Sequence, residues 1–199
     1  MLCANGSLPE SLIRGKILDS ELAQYFDVSR TPVREAIQML ERQKLVKVIP
    51  SRGTIVANIE IEDTEKCYRL LAEIQAFAAE EACERISEEQ LQALKDCYDQ
   101  FATACADGAV EQLLSGDTKF HEIIVKAADN EYVEDFSRIL QLHISRIRYH
   151  YFHENVNPIR SVGHHEKILQ ALVERNKAKA KEIMREHWLL SMEYSLDIA

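Results

Sequence analysis

Apolar residues recur along most of this chain at spacings of three and four, the period that places them on one side of a helix. Leu22, Ala23 and Phe26 mark the inner side of a short helix over Asp19 to Phe26, which is followed by the turn Asp27-Val28-Ser29. Val33, Ala36, Ile37 and Leu40 repeat the pattern in a second helix beginning at Arg30. Ser29 is placed to cap it, and Pro32 falls in its first turn, where a missing N–H costs nothing. The period then changes. Leu45 to Ile49 and Thr54 to Ala57 are β-rich runs on either side of Pro50-Ser51-Arg52-Gly53, a hairpin signal. Helix, turn, helix and a two-stranded wing predict a winged helix-turn-helix over residues 1–58.

From Ile61 the helical period returns and continues almost to the end. It predicts helices near 61–85, 88–106, 109–128, 131–153, 158–174 and 176–197, broken at Asp107-Gly108, Asp129-Asn130, Asn155 to Pro158 and Arg175-Asn176. The expected fold class is therefore mostly α: an N-terminal winged helix-turn-helix with a small two-stranded wing, and a C-terminal all-α helical bundle over 59–199. No low-complexity linker separates the two parts, so the wing feeds almost directly into the bundle through Asn58 to Asp63.

The longest apolar runs, such as Ile123 to Val125, are too short to span a bilayer, and the start MLCANGSLPE has neither the charged nor the apolar region of a signal peptide. A soluble, cytoplasmic chain with no membrane partner is expected. Five cysteines (Cys3, Cys67, Cys83, Cys97, Cys105) without a CxxC pair read as reduced, mostly buried thiols. Charge divides the chain sharply. Residues 1–58 hold 8 Lys and Arg against 6 Asp and Glu, net +2, within a total of −9, which leaves −11 on the remainder. A small basic module is attached to an acidic body.

A helix that enters the major groove needs one polar face that donates to phosphates and base edges, and one apolar face that anchors it. The helix from Arg30 has both. Arg30 and Arg34 are four apart and share a side, Ser29 and Thr31 present hydroxyls at its N-terminus, and Arg52 with Gly53 forms the wing turn. Six residues, Ser29, Arg30, Thr31, Arg34, Arg52 and Gly53, are the candidate DNA contacts.

In the body, Asp117 and His121 are four apart on one inward stripe, His165 leads a stripe with Ile168, Leu169 and Leu172, and His187 lies among Ile183, Met184 and Leu190. Three histidines and an aspartate from three helices can converge on a divalent ion with a position open to ligand. Imidazole with carboxylate suits Zn, Ni, Mn or Fe alike. His164 sits one step off the stripe of His165, and His150 and His153 read as surface or pocket-rim residues.

The run VSRTPVREA, followed by LVKVIPSRGTIV, closely resembles the DNA-binding domain of the GntR family of bacterial transcription regulators. The resemblance implies that Ser29, Arg30, Thr31 and Arg34 approach the operator and that Arg52-Gly53 reaches a neighbouring groove. Members carry a full helix ahead of the stretch matching Gly15 to Leu22, whereas here Met1 to Ser7 remain to supply it, so a truncated first helix is expected. The body resembles the FCD ligand-binding domain of the FadR subfamily through Asp-x-x-x-His, His-x-x-Ile-Leu-x-Ala and Met-Arg-x-His. This implies a divalent metal on Asp117, His121, His165 and His187, and a small organic acid as effector. Where members show Arg-x-x-Leu-Glu, this chain has Leu71-Ala72-Glu73-Ile74-Gln75, so the pocket arginine is replaced by Leu71, leaving Arg146 and Arg148 as substitutes and Arg69 pointing elsewhere.

The resulting expectation is a homodimeric regulator that binds a double-stranded DNA operator and is not an enzyme. Two alternatives stand beside it. A metal-dependent hydrolase would need a general base, and Glu122 and Glu166, each next to a ligand in sequence, point about 100° away from it. A metal-free body serving only dimerisation would make the histidines ordinary core.

Overall fold

The computed structural model describes residues 16–50, 53–58, 60–151 and 159–198. The chain forms two compact units, residues 1–58 and 59–199.

The first unit contains β1 (Lys16–Ile17), α1 (Asp19–Tyr25), α2 (Arg30–Arg42), β2 (Val46–Ile49) and β3 (Gly53–Val56). Its sheet has three strands in the order β1-β3-β2, all antiparallel, with Val46 opposite Val56, Ile49 opposite Gly53 and Ile17 opposite Thr54. The two-stranded wing read from the sequence is present as β2 and β3, and a third strand that precedes α1 joins it, too short at two residues to carry an alternating pattern. Ile17 from that strand packs with Ala23, Val33, Ile37 and Val46, and Leu22 and Leu40 lie at the margin. Ala36 and Phe26, expected on the inner sides, are exposed instead, because so small a core accommodates few side chains. Ser29 holds the extended backbone of an N-cap, but its side chain makes no capping hydrogen bond. Gly53 opens β3 at φ 96°, a left-handed conformation that suits glycine at the wing turn. The first helix, expected to be truncated, and Arg52 lie outside the described residues.

The second unit consists of α3 (Ile61–Arg85), α4 (Glu88–Asp107), α5 (Val110–Ala127), α6 (Glu131–Tyr151), α7 (Ile159–Val173) and α8 (Lys177–Ile198). The breaks follow local chemistry. Gly108 closes α4 in the left-handed region, Asp129 and Arg175 take the same conformation after α5 and α7, and Ser87 opens α4 with a reciprocal capping box to Gln90. The expected continuation of α6 to 153 and the break at 155–158 lie outside the described residues.

Helix α3 packs against α5, α6, α7 and α8. Ala72, Ala76, Ala78, Ala79 and Ala82 are fully buried on it, and such small side chains let neighbouring backbones approach closely. Ion pairs Glu73–Arg185, Glu80–Lys181 and Glu84–Lys177 run in opposite chain directions along α3 and α8, as an antiparallel pair requires. Each contributes little singly at this exposure, but together they mark the register. Tyr68, Leu71, Phe120, Ile124, Ile168, Leu172, Met184 and Trp188 fill one continuous core. Among the described residues Cys67, Cys83, Cys97 and Cys105 form no disulfide, and Cys3 lies outside them. Among the described residues no helix is long and apolar enough to cross a membrane.

Because Ala79 is fully enclosed in this core, Ala79→Leu is expected to cost about 1–3 kcal/mol through overpacking. Urea unfolding followed by circular dichroism measures it, and an unchanged midpoint would show that α3 is loosely held.

Candidate metal centre and nucleic-acid interface

Periodicity on three helices brings the inward polar residues of the second unit to one point. Asp117 and His121 come from successive turns of α5, His165 from α7 and His187 from α8, and all four are buried. One donor atom from each lies within 4.8 Å of the others. The Nε2 of His121 is 3.1 Å from that of His187 and 3.3 Å from that of His165, and His165 Nε2 is 3.5 Å from Asp117 Oδ1. Donors about 2.1 Å from one cation are separated by about 3.0–3.4 Å along the edges of an octahedron or tetrahedron. The three nitrogen and oxygen separations fall at or close to that range.

Protein groups alone do not satisfy this cluster. Asp117 Oδ1 is buried without a hydrogen-bond partner. Two neutral imidazoles share one proton at most, so three converging Nε2 atoms beside an unpaired carboxylate oxygen leave lone pairs directed at one another. Burial, against the opposing pull of Asp117, holds the imidazoles uncharged: His121 is lowered to about 4, His165 to about 3, and His187 well below its ordinary value. Burial by itself would raise the Asp117 carboxyl, but Arg148, followed by the imidazoles, overrides it and keeps the group ionised well below the usual carboxylate range. Three neutral imidazoles and a carboxylate fit a divalent cation.

Arg148 on α6 explains the other carboxylate oxygen. Its Nη1 donates to Asp117 Oδ2, with only 11% of the arginine side chain and 2% of the aspartate side chain exposed. This contact fixes the carboxylate with Oδ1 toward the histidines, as an outer partner does for a ligand. Arg146 is two residues away and projects about 200° around the helix, so with Arg148 turned inward it faces elsewhere. Leu71 is fully buried among apolar side chains, and Arg69 donates to Glu65 on the surface. Arg148 therefore supplies the site's cation from a different helix.

Ring packing orients the imidazoles. Phe101 and Phe120 lie 4.5 and 4.3 Å from His165, and Trp188 lies 4.5 Å from His121, between ring centroids. The Trp188 indole donates to Gln75 Oε1, and Gln75 Nε2 donates in turn to Ser137 Oγ, a fully buried relay across α8, α3 and α6. Sequence reasoning passed over this relay, although Gln75 is a polar residue on the inward stripe of Tyr68, Leu71, Ala72 and Ala79, which is its signal. His164 is half-buried with its ring 6.0 Å from that of His187, outside the four-donor group. The side chain of His150 and the whole of His153 lie outside the described residues. Glu122 and Glu166 are both exposed. Glu122 borders a pocket of about 580 Å³ between α5 and α6, lined also by Ser115, Thr118, Lys119, Ser145 and Arg148.

In the first unit, Val33 and Ile37 anchor α2 in the core and leave Ser29, Arg30, Thr31 and Arg34 exposed along its N-terminal face. Arg34 Nε donates to Asp19 Oδ2 at 2.9 Å, a half-exposed ion pair that holds the guanidinium at the start of α1. Gly53 is exposed at the wing.

Residues 66–189, more than half of the chain, match the FCD domain, and residues 11–56 match the bacterial regulatory proteins of the gntR family. The Uxu operon transcriptional regulator of Escherichia coli is 30% identical over 192 residues, covering 85% of this chain and 73% of the relative. The transcriptional repressor RspR of the same organism is 27% identical over 169 residues, 85% of this chain and 74% of its own. Among solved structures, E. coli McbR/YncC superposes with a TM-score of 0.77 at 20% identity, over 92% of this chain and 87% of that one. A GntR regulator from Rhodococcus sp. RHA1 gives 0.71 at 18%, over 96% and 94%. These two likenesses show the fold. The chain belongs to the GntR family of bacterial transcription regulators, with an FCD domain as its helical body, and is a DNA-binding regulator rather than an enzyme.

Proposed function

We propose that this regulator holds a divalent metal ion on Asp117, His121, His165 and His187, and that a small organic acid bound in the same helical unit controls its affinity for an operator. The observation that carries the reading is the convergence of four buried donors, one an unpaired carboxylate oxygen, on one point of an otherwise apolar core. A bound cation supplies Lewis acidity and positive charge there. Asp117 and the imidazoles hold it, Arg148 orients the carboxylate, and the aromatic rings exclude water. On the DNA side, Arg30, Arg34, Ser29 and Thr31 meet phosphates and base edges, and Arg52-Gly53 the adjacent groove. Only residues 57–60 separate β3 from α3, so a shift of α3 is passed along the chain without a slack linker. Two copies pair on a palindromic site, and the exposed Tyr132 and Phe136 of α6 offer apolar surface for that pairing.

Elemental analysis of the purified protein is expected to give about one divalent ion per chain, falling to a small fraction in His121→Ala. The single tryptophan, Trp188, packs against the His121 ring at 4.5 Å between centroids, so Co(II) or Ni(II) added to stripped protein should quench its fluorescence to saturation. Neither signal in the wild type would sink the metal reading while leaving the DNA-binding one intact.

For DNA, fragments selected from a random library by the wild-type protein serve as probes. Arg30→Ala and Arg34→Ala are each expected to weaken binding by about 1–3 kcal/mol if they read a base, or to lower the salt slope by about 1 if they contact a phosphate. Asp19→Asn, which releases Arg34, should not weaken binding. Anisotropy titrations over a range of salt concentrations decide, and unaltered affinity in both arginine variants would remove α2 as the reading helix.

Acidification of the metal-stripped protein is a third test. Below pH about 6.5 the unfolded chain protonates imidazoles that the folded chain keeps neutral down to about 4 for His121 and about 3 for His165, so the unfolded state binds more protons and stability falls with pH. Each such imidazole contributes up to about 1.4 kcal/mol per pH unit over that window. Asp117, held ionised by Arg148, adds in the same direction only below the ordinary carboxyl range. Urea titrations at about pH 7, 6 and 5 measure the slope. A flat profile would mean that the imidazoles are solvated.

A further inference from the structure

None of the four donors lines the pocket between α5 and α6, whereas Arg148 does. The same guanidinium that holds Asp117 Oδ2 therefore forms part of the wall of a space open to small molecules, whose volume of about 580 Å³ is ordinary for a ligand site. Ser115, Thr118 and Lys119 share one face of α5 at spacings of three and four, and Ser145 precedes Arg148 by three on α6. Thr118 already donates its hydroxyl proton to Leu114 O at 3.0 Å, so its lone pairs are left to accept from a ligand hydroxyl. Glu122 at one border repels a carboxylate and directs it toward the arginine end.

Charge gives this pocket a purpose. Without a metal, the buried Asp117 and Arg148 form a neutral pair among neutral imidazoles. A divalent cation adds two positive charges to a site whose four donors have between 0 and 3% of their surface exposed. Net charge enclosed in a poorly polarisable interior is unfavourable unless a counter-charge lies close by.

We propose that Arg148 bridges the metal centre and the α5–α6 pocket: its guanidinium, paired with Asp117, also receives the carboxylate of a small hydroxylated acid seated among Ser115, Thr118, Ser145 and Lys119, outside the metal's coordination sphere. This rests on the reading that the helical unit binds such an acid, and it adds where the acid sits and which residue selects it. The acid compensates the charge that the metal brings, so each tightens the binding of the other.

The test is calorimetric titration of chelator-treated and metal-loaded protein with glycerate and threonate, and with glycerol as the uncharged control. Both acids are expected to bind the stripped protein, to bind the loaded protein about tenfold more tightly, and glycerol to bind neither. Arg148→Lys, which keeps the charge and loses the planar fork, and Arg148→Gln should lose binding to the stripped protein. Lys119→Gln and Ser145→Ala change only exposed residues, so they keep the fold, and each is expected to weaken the acids several-fold with metal content unchanged. Binding that requires metal and survives Arg148→Gln would overturn the proposal in favour of direct coordination, while leaving an acid effector in place. No binding of either acid to any form would overturn this proposal and, if other carboxylates also fail, the effector reading on which it rests.

Discussion

The helical unit is organised around a desolvation problem. Four polar side chains sit where α5, α7 and α8 meet, and none of them can turn to water. A buried polar group that lacks a partner destabilises a fold by more than most single contacts stabilise it, and the protein answers this cluster only in part. Arg148 answers one oxygen of Asp117 and burial keeps the histidines neutral, while Asp117 Oδ1 and the Nδ1 atoms of His121 and His165 are left without a protein hydrogen-bond partner. Phe101, Phe120 and Trp188 wedge the rings in place, and Trp188 is held in turn through Gln75 to Ser137. Because these partners are drawn from α3, α4, α5, α6, α7 and α8, what the cluster holds bears on the packing of every helix in the unit.

The same reasoning runs in reverse for the first unit. Its core is a handful of side chains, too few to hide Phe26 or Met39, and its stability comes from tight local closure. Val28 N donates to Ala23 O across the left-handed Asp27, Leu45 N donates to Leu40 O across the left-handed Lys44, and Val48 N donates to Glu41 Oε1. These short bonds seat α1, α2 and β2 around the buried stripe of α2. At the N-terminal end of α2, Arg30, Thr31 and Arg34 stay exposed beside that stripe, Arg34 paired with Asp19.

Much of this could be read before any coordinates, for reasons that differ by element. The six long helices announce themselves because apolar periodicity over 15 to 25 residues averages out local exceptions, and Gly108 and Asp129 mark their ends with residues that accept a left-handed backbone. Asp117, His121, His165 and His187 stood out as polar residues on apolar stripes, and the same rule applied to α3 would have found Gln75. What periodicity cannot supply is pairing between helices. That Arg148 reaches Asp117 depends on how α6 packs on α5, and nothing in the sequence near either residue records it. β1 escaped for the opposite reason, since two residues hold no pattern and that strand exists only because β3 offers it an edge.

Charge then sets what the two units can do together. DNA attracts any cationic surface regardless of its sequence, so a regulator that must choose one site gains from presenting few such surfaces. Here residues 1–58 carry net +2 and the rest of the chain −11. A net negative body would be repelled by phosphates, so the charge division favours attraction through the small unit. On the proposed reading, affinity for the operator would then rest on a few side chains at one end of α2 and at the wing. On the proposed reading, the interior of the acidic body is where a ligand would be sensed, and the connection of residues 57–60 between β3 and α3 is the covalent route from that body to the DNA-binding unit.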